Sequence, residues 1–256
     1  MSIKELIEDF VLLQSNFRFV DAATFKDGVK FQCSQDDLDI FYKADTNLIK
    51  KLACSFRLSN IHLVNRKIGE LASQLSKSLG FAVTVNLYIT PNADSQCFVY
   101  HGDPNDTLIY QILGEKLWSF PKVNQGHCFV KDKLRADASD FNESKVIFED
   151  ELIELKRGDI ISFPYNLIHK AQNLKDDISA HLTFSVNYPN HFELKNFLVS
   201  SMLKTNLAEE FNKAGDEKSI IDLLSKAPAN FEESIKEYFS EFEENQLKLI
   251  NEGRPY

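Results

Sequence analysis

Apolar residues near the start of the chain recur at the spacing of an α-helix. Those in residues 3–13 fall on one face, and Ser2 with Glu5 three positions later fits the capping box that begins many helices. The same spacing returns from Ile68 and stops at Gly80, a residue suited to the left-handed backbone that follows a helix. The sequence therefore predicts an amphipathic helix at the start and a second one that ends before this glycine.

The periodicity changes from helical to alternating at Phe81. Polar and apolar residues alternate through residues 84–90 until Pro91, which predicts a strand with one polar face. Glycine-containing turns at 114–115 and 157–159 separate further extended segments. The remaining predicted strands are 107–113, 116–120, which is expected to end at Pro121, 160–164 and 180–187.

Helical spacing returns after Pro189, and an apolar stripe runs through residues 231–249. Such a stripe is typical of core packing or of a dimer contact. Many short strands between helical ends favour a mainly β fold, a double-stranded β-helix or jelly roll of the cupin kind, with helices packed on it. The predicted organisation is an N-terminal helical and strand region at 1–80, a jelly-roll core at 81–190 and a C-terminal helical region at 191–256, a candidate for homodimerisation.

The composition is that of a globular protein with one sizeable core, since 43% of its 256 residues are hydrophobic and 12% aromatic. No apolar stretch approaches the length of a membrane span, and the first 14 residues carry acids, unlike a signal peptide, so we expect a cytoplasmic protein. A net charge of −9 argues against direct binding of nucleic acid. The four cysteines lack C-x-x-C spacing, which predicts free thiols.

The tripeptide His101-Gly102-Asp103 and the later His169 are the residue types of a mononuclear non-haem iron site. Such a site holds Fe(II) by two imidazoles and one carboxylate and leaves the other positions open. In an extended segment, residues two apart point to the same side, so His101 and Asp103 can reach one ion. An H-x-D tripeptide also arises often by chance, and a lone histidine is usually packed or solvated. The pattern therefore predicts an iron site only together with its surroundings.

Several motifs occur in an order that resembles a known family. From about residue 31 to residue 188, the chain is similar to the JmjC-type cupin oxygenases, which include the ribosomal oxygenases that hydroxylate histidine or arginine residues of ribosomal proteins. The order of the motifs is more specific than any one of them. The motifs are Asp37-Leu38 with the helical region that follows, VNLYITP at 85–91, HGD at 101–103, QILGEKLW at 111–118, RGDIISFP at 157–164 and SAHLT at 179–183.

The resemblance implies ligands for a metal ion and for a cosubstrate. In the family, the H-x-D pair and a later histidine bind Fe(II), which corresponds here to His101, Asp103 and His169. A basic residue at the start of the strand after the glycine turn binds the far carboxylate of 2-oxoglutarate, and that position here is Lys116. Without the resemblance, a solvated side chain would be the ordinary expectation for this lysine.

Three further residues are candidates for the cosubstrate pocket. The family motif implies this role for Asn86 and Tyr88, although both could equally belong to an outward polar face. Alternation puts His181, Thr183 and Ser185 on one face of a later strand. Nothing in the sequence decides whether that face meets the pocket or solvent, and Thr183 is the pocket candidate on it.

The resemblance implies hydroxylation of a side chain in a protein or peptide, with Fe(II), 2-oxoglutarate and O2. A ribosomal protein is one candidate substrate, although Gly102, where the family often has a bulky residue, leaves space for a different one. A small-molecule or peptide-tailoring hydroxylase would use the same site. The third hypothesis is a metal-binding cupin without oxygenase activity, and Lys116 argues against it because a charge there has no evident purpose without an acidic ligand.

Overall fold

Two antiparallel sheets form the centre of the protein, whose computed structural model describes residues 2–13, 20–123, 126–127 and 149–187. The helices are α1 (Ile3–Leu13), α2 (Gln35–Tyr42), α3 (Thr46–Ile49) and α4 (Arg66–Leu79), with a 3-10 helix at Ile61–Leu63. The strands are β1 (Ala22–Lys26), β2 (Val29–Lys30), β3 (Ser55–Leu58), β4 (Ala82–Thr90), β5 (Asp106–Leu113), β6 (Glu115–Val123), β7 (Gly126–His127), β8 (Glu149–Lys156), β9 (Ile160–Phe163), β10 (Lys170–Gln172) and β11 (Ser179–Asn187).

The larger sheet has seven strands in the order β2, β1, β3, β4, β11, β5 and β9. In the smaller sheet, β6 pairs with β10, β7 and β8. Strands distant in sequence are neighbours in both sheets, as in a double-stranded β-helix. The predicted fold class, a mainly β jelly roll with helices packed on it, is confirmed.

Both helices that the apolar spacing predicts are present. At the start of α1, the Ser2 hydroxyl accepts from the Glu5 N–H at 3.2 Å, and the Glu5 carboxylate accepts from the Ser2 N–H at 3.5 Å, which completes the capping box. The Asn65 side chain caps the start of α4, and Gly80 ends this helix at φ 76°. Local sequence therefore determines where these two helices begin or end.

The alternation along β4 separates the two faces of the larger sheet. Val85, Leu87 and Ile89 are buried in one core with the apolar face of α1. On the other face of β4, Tyr88 points toward the smaller sheet and lines a cavity with Trp118 of β6. The helices thus cover one face of the larger sheet, and the jelly-roll interior lies on the other face.

The expected end of a strand at Pro121 is wrong, because β6 continues to Val123. Pro121 pairs with Asp150 of β8 on one side. On the other side, β10 pairs only with residues 117–119 and β7 only with residues 122–123. Among the described residues, no strand pairs with Pro121 on that side, so its missing N–H leaves no ladder acceptor unpaired.

The other strand predictions agree with β5, β9 and β11, and Gly158, at φ 101°, lies in the predicted turn before β9. No disulfide joins Cys33, Cys54 or Cys97, although the sulfur atoms of Cys33 and Cys54 lie 2.6 Å apart, and Cys128 lies outside the described residues; the prediction of free thiols stays a prediction. The apolar stripe at 231–249 also lies outside them. The division of the chain near residues 80 and 190 stays a prediction. None of the described helices is long and apolar enough to cross a membrane.

Gly114 turns the chain from β5 into β6 and thereby sets the position of Lys116, two residues later. Its φ is 64°, and a Cβ atom there would lie 2.5 Å from the carbonyl oxygen of Ile178. Gly80 has a similar φ of 76°, but a Cβ atom there would have no neighbour within 4 Å. Substitution of Gly80 therefore measures the cost of backbone conformation alone, whereas substitution of Gly114 adds the cost of a steric clash.

We predict that Gly114→Ala lowers the free energy of unfolding more than Gly80→Ala does. Both variants place a side chain in the left-handed region, which costs roughly 1–2 kcal/mol. At Gly114 the clash with backbone adds roughly 1–3 kcal/mol. Urea denaturation of the two variants and the unchanged protein measures the difference, and equal losses would contradict the close approach to Ile178.

Candidate active site

A short backbone pairing brings the two candidate histidine ligands together. The N–H of His101 donates to the carbonyl of His169 at 3.0 Å, and the N–H of His169 donates to the carbonyl of His101 at 2.9 Å. The Asn166 N–H donates to the carbonyl of Asp103 at 2.6 Å and extends the contact between the two segments. Side chains far apart in sequence are thus held side by side by main-chain hydrogen bonds.

The side chains of His101, Asp103 and His169 offer ligand atoms that all lie within 4.8 Å of one another. One Asp103 oxygen is 3.9 Å from His101 Nε2, and the other is 3.7 Å from His169 Nε2. The Nδ1 atoms point away, and each lies 2.8 Å from a backbone carbonyl, that of Val99 for His101 and that of Leu167 for His169. With the protons on Nδ1, both Nε2 lone pairs face the carboxylate, as metal coordination requires.

Burial keeps the His169 imidazole in the form that binds a metal. Its side chain is only 3% exposed, and its ring packs against Phe163 and Trp118, with centroid distances of 4.5 and 5.7 Å. Desolvation, together with the nearby His101, lowers the pKa of His169 to about 4. The ring is therefore neutral at physiological pH, and its lone pair is available. These three residues fit a divalent first-row metal ion with open coordination positions.

The three side chains open onto a cavity of about 40 Å³ between the two sheets. Aromatic and apolar groups form much of its wall. The lining residues are Tyr88, Cys97, Phe98, His101, Asp103, Ile109, Lys116, Trp118, His169, Ala171, His181 and Thr183.

Lys116 lies in this cavity with only 2% of its surface exposed. Its Nζ donates to Thr90 Oγ1 at 2.9 Å and is 3.0 Å from His181 Nδ1. No carboxylate of a described residue lies within ion-pair distance of it. Burial lowers the pKa of Lys116 to about 8. A buried ammonium without an anion is costly, so this cavity is built to receive a negatively charged group.

Six residues besides Lys116 were predicted for the site. Five of them line the same cavity as Lys116, and one does not. His101, Asp103, His169, Tyr88 and Thr183 all line the cavity. Asn86 does not line it; its side-chain oxygen accepts from the backbone N–H of Asn60 at 3.1 Å. The role of Asn86 in cosubstrate binding stays a prediction.

His181 lines the cavity and was not singled out from the sequence. The alternation of β11 puts it on the same face as Thr183, which was the available signal. That alternation does not reveal which sheet covers the face. The contact with Lys116 depends on the packing of two sheets and could not be read from either strand alone.

A model of the JmjC domain family matches residues 61–194, just over half of the chain. The match includes both segments that carry the paired histidines and all of the lining residues. The chain belongs to the JmjC domain family. The resemblance seen in the motifs is thereby confirmed.

Two curated relatives share the matched part of this JmjC protein. The bifunctional lysine-specific demethylase and histidyl-hydroxylase NO66 of Dictyostelium discoideum is 31% identical over 135 residues, which cover 53% of this chain and 26% of that protein. Ribosomal oxygenase 1 of Danio rerio is 26% identical over 132 residues, 52% of this chain and 24% of that protein. The chain therefore spans about a quarter of the length of these relatives.

Among solved structures, ycfD from E. coli is similar to this JmjC protein with a TM-score of 0.50. The similarity covers 93% of this chain and 64% of that one, at 16% sequence identity. At this identity the comparison supports the fold, in agreement with the two-sheet topology.

Proposed function

We propose that this JmjC protein is an Fe(II)- and 2-oxoglutarate-dependent oxygenase that hydroxylates a side chain of a protein or peptide. The observation that carries the proposal is one cavity that joins a His-Asp-His cluster to a buried lysine without a carboxylate partner among the described residues. A metal site alone would not require the lysine. A dicarboxylate that also chelates the metal accounts for both.

His101, Asp103 and His169 would hold the iron through two neutral imidazole nitrogens and one carboxylate oxygen. When bound, Fe(II) and 2-oxoglutarate supply the activation of O2 that amino-acid side chains cannot perform. The carbonyls of Val99 and Leu167 fix the two rings by accepting from Nδ1. These hydrogen bonds thus orient the metal-binding side chains before a metal ion binds.

Lys116 would bind the distal carboxylate of 2-oxoglutarate. An ammonium group has three donors, and two of those on Lys116 are directed to Thr90 and His181. The third is left for a carboxylate oxygen, and the low-polarity surroundings strengthen that charge-assisted contact. Tyr88 and Thr183, on the wall of the same cavity, would contact the cosubstrate or the residue to be hydroxylated.

The substrate class is proposed from the relatives, whose names describe a histidyl-hydroxylase and a ribosomal oxygenase. A ribosomal protein is therefore the first substrate to test. Such proteins are mostly basic, and the net charge of −9 on this chain would favour their approach. A location in the cytoplasm, where ribosomal proteins are accessible, belongs to the same proposal.

We predict that the protein converts 2-oxoglutarate to succinate only when Fe(II) and O2 are present, and that Lys116→Met lowers the 2-oxoglutarate affinity. Removing one partner of a buried charge pair costs about 2 kcal/mol or more, which corresponds to about 30-fold or more in the apparent dissociation constant. Succinate is measured by mass spectrometry across a range of 2-oxoglutarate concentrations.

Lys175→Met is the matched control, because Lys175 is an exposed lysine paired with Glu115 outside the cavity. It should retain the affinity of the unchanged protein. Conversion that does not depend on iron, or equal affinity in Lys116→Met, would contradict the proposal.

We also predict that 2-oxoglutarate binding weakens as the pH rises above about 8. Only the charged form of Lys116 attracts the carboxylate, and burial has lowered its pKa to about 8. Below this pH the group is already charged and affinity changes little. Above this pH, the neutral Lys116 amine must take up a proton before it can bind the carboxylate. The dissociation constant therefore rises by up to about tenfold per pH unit.

Calorimetric titration with Mn(II) in place of Fe(II), between pH 7 and 9.5, measures this dependence. In Lys116→Arg the guanidinium stays charged throughout this range, so the dependence should disappear. A dissociation constant that stays flat in the unchanged protein would argue against Lys116 as the carboxylate ligand.

A further inference from the structure

His181 is hydrogen-bonded to the cavity lysine through one of its two ring nitrogens. The Lys116 ammonium lies 3.0 Å from His181 Nδ1, and both side chains are almost completely buried, at 2% and 5% exposure. An ammonium group can only donate, so Nδ1 must be the acceptor. In a neutral imidazole whose Nδ1 accepts, the proton resides on Nε2.

The electrostatics of the cavity favour this neutral tautomer. Burial and the neighbouring Lys116 charge hold the pKa of His181 well below its ordinary value. Protonation would also place two positive charges in direct contact. The Nε2–H is therefore a fixed donor, and no described residue accepts a hydrogen bond from it.

Two aromatic side chains pack against the His181 ring and fix its orientation on the cavity wall. Tyr88 stacks on it with a centroid distance of 5.2 Å and an interplanar angle of 11°, and Trp118 meets it edge-on at 5.4 Å. The pairing of β11 with β5 shifts register between Ala180 and His181, a bulge of the kind that redirects a side chain. The direction of the Nε2–H is thus set before any ligand binds.

We infer that His181 is a cosubstrate-specificity residue, whose Nε2–H donates to the distal carboxylate of 2-oxoglutarate beside the ammonium of Lys116. This inference rests on the proposed function, because it assumes that a dicarboxylate occupies the cavity. Nothing in the motif comparison assigns the role to His181. The two oxygen atoms of the carboxylate then accept from two donors, the charged ammonium of Lys116 and the neutral Nε2–H of His181.

The pair of donors accounts for selectivity toward a dicarboxylate. A 2-oxo acid that lacks the distal carboxylate, such as 2-oxovalerate, would leave both the ammonium and the Nε2–H without an acceptor. Leaving buried donors unpaired is expensive, so the cavity rejects such a ligand even though its chain has the same length.

Two variants separate the two nitrogens of His181. The amide of Asn ends as many bonds from Cα as Nδ1 does, and the amide of Gln as many as Nε2 does. His181→Asn therefore retains an acceptor for Lys116 but loses the donor to the ligand, while His181→Gln retains that donor. Ser185→Ala, on the same face of β11 but outside the cavity lining, is the control.

The experiment is calorimetric titration of each Mn(II)-loaded protein with 2-oxoglutarate and with 2-oxovalerate. A hydrogen bond to a charged group is worth about 1.5–3 kcal/mol, so His181→Asn should raise the 2-oxoglutarate dissociation constant by about 10- to 100-fold. Its affinity for 2-oxovalerate should not fall, since the donor that this ligand leaves unpaired is gone, so the preference for the dicarboxylate falls by at least the same factor. His181→Gln should stay within about fivefold of the unchanged protein, a difference of about 1 kcal/mol.

Each other outcome overturns the inference. Normal binding by His181→Asn with loss in His181→Gln would mean that His181 acts only by accepting from Lys116. Equal binding by both variants and the unchanged protein would remove His181 from the site while leaving the proposed function intact. If the unchanged, metal-loaded protein binds no 2-oxoglutarate, the proposed function fails and the inference fails with it.

Discussion

An ammonium group buried between two sheets is the constraint on which the site depends. Lys116 is 2% exposed, and no carboxylate of a described residue compensates its charge. The effective penalty for burying an ion is several kcal/mol even after relaxation. Thr90 and His181 offset part of it by accepting two hydrogen bonds. A bound anion would offset the rest of this burial penalty. This end of the cavity therefore favours a negatively charged ligand even before a metal ion binds.

The other end of the cavity depends on backbone pairing. His101 and His169 exchange both of their main-chain hydrogen bonds, so their side chains project together, and carbonyl acceptors fix both rings. The jelly roll makes this possible because its strands bring distant segments into register. Aromatic side chains pack around the buried part of the site: Trp118 and Phe163 contact the His169 ring, and Tyr88 stacks on His181. Preorganisation of this kind reduces the cost of assembling metal and cosubstrate.

Features governed by neighbouring residues in the chain could be predicted from the sequence. The capping box of α1, the glycine that ends α4 and the alternation of β4 all follow from short-range rules. The end assigned at Pro121 was wrong because the extent of β6 depends on β8, a strand remote in sequence. The metal candidates could be predicted because their chemistry allows few residue types and because the motifs around them, in their order, resemble those of a known family.

The sequence could not show which of Asn86 and Tyr88 reaches the cavity. Both lie on the same face of β4, yet only Tyr88 reaches the cavity, since the Asn60 N–H holds the Asn86 side chain elsewhere. His181 gave no decisive signal either, because alternation assigns a face of a strand but not the sheet that covers it. Contacts between the sheets, such as that of His181 with Lys116, require the tertiary structure.

The visible spectrum of the Fe(II)-loaded protein under anaerobic conditions, before and after addition of 2-oxoglutarate, tests the central claim most directly. Chelation of Fe(II) by a 2-oxo acid produces a weak charge-transfer band that neither component shows alone. The account predicts this band in the unchanged protein and in His62→Ala, which removes a buried histidine outside the cavity, and its loss in His169→Ala. Bound iron without a band in the unchanged protein would contradict the account and leave a metal-binding cupin without oxygenase activity.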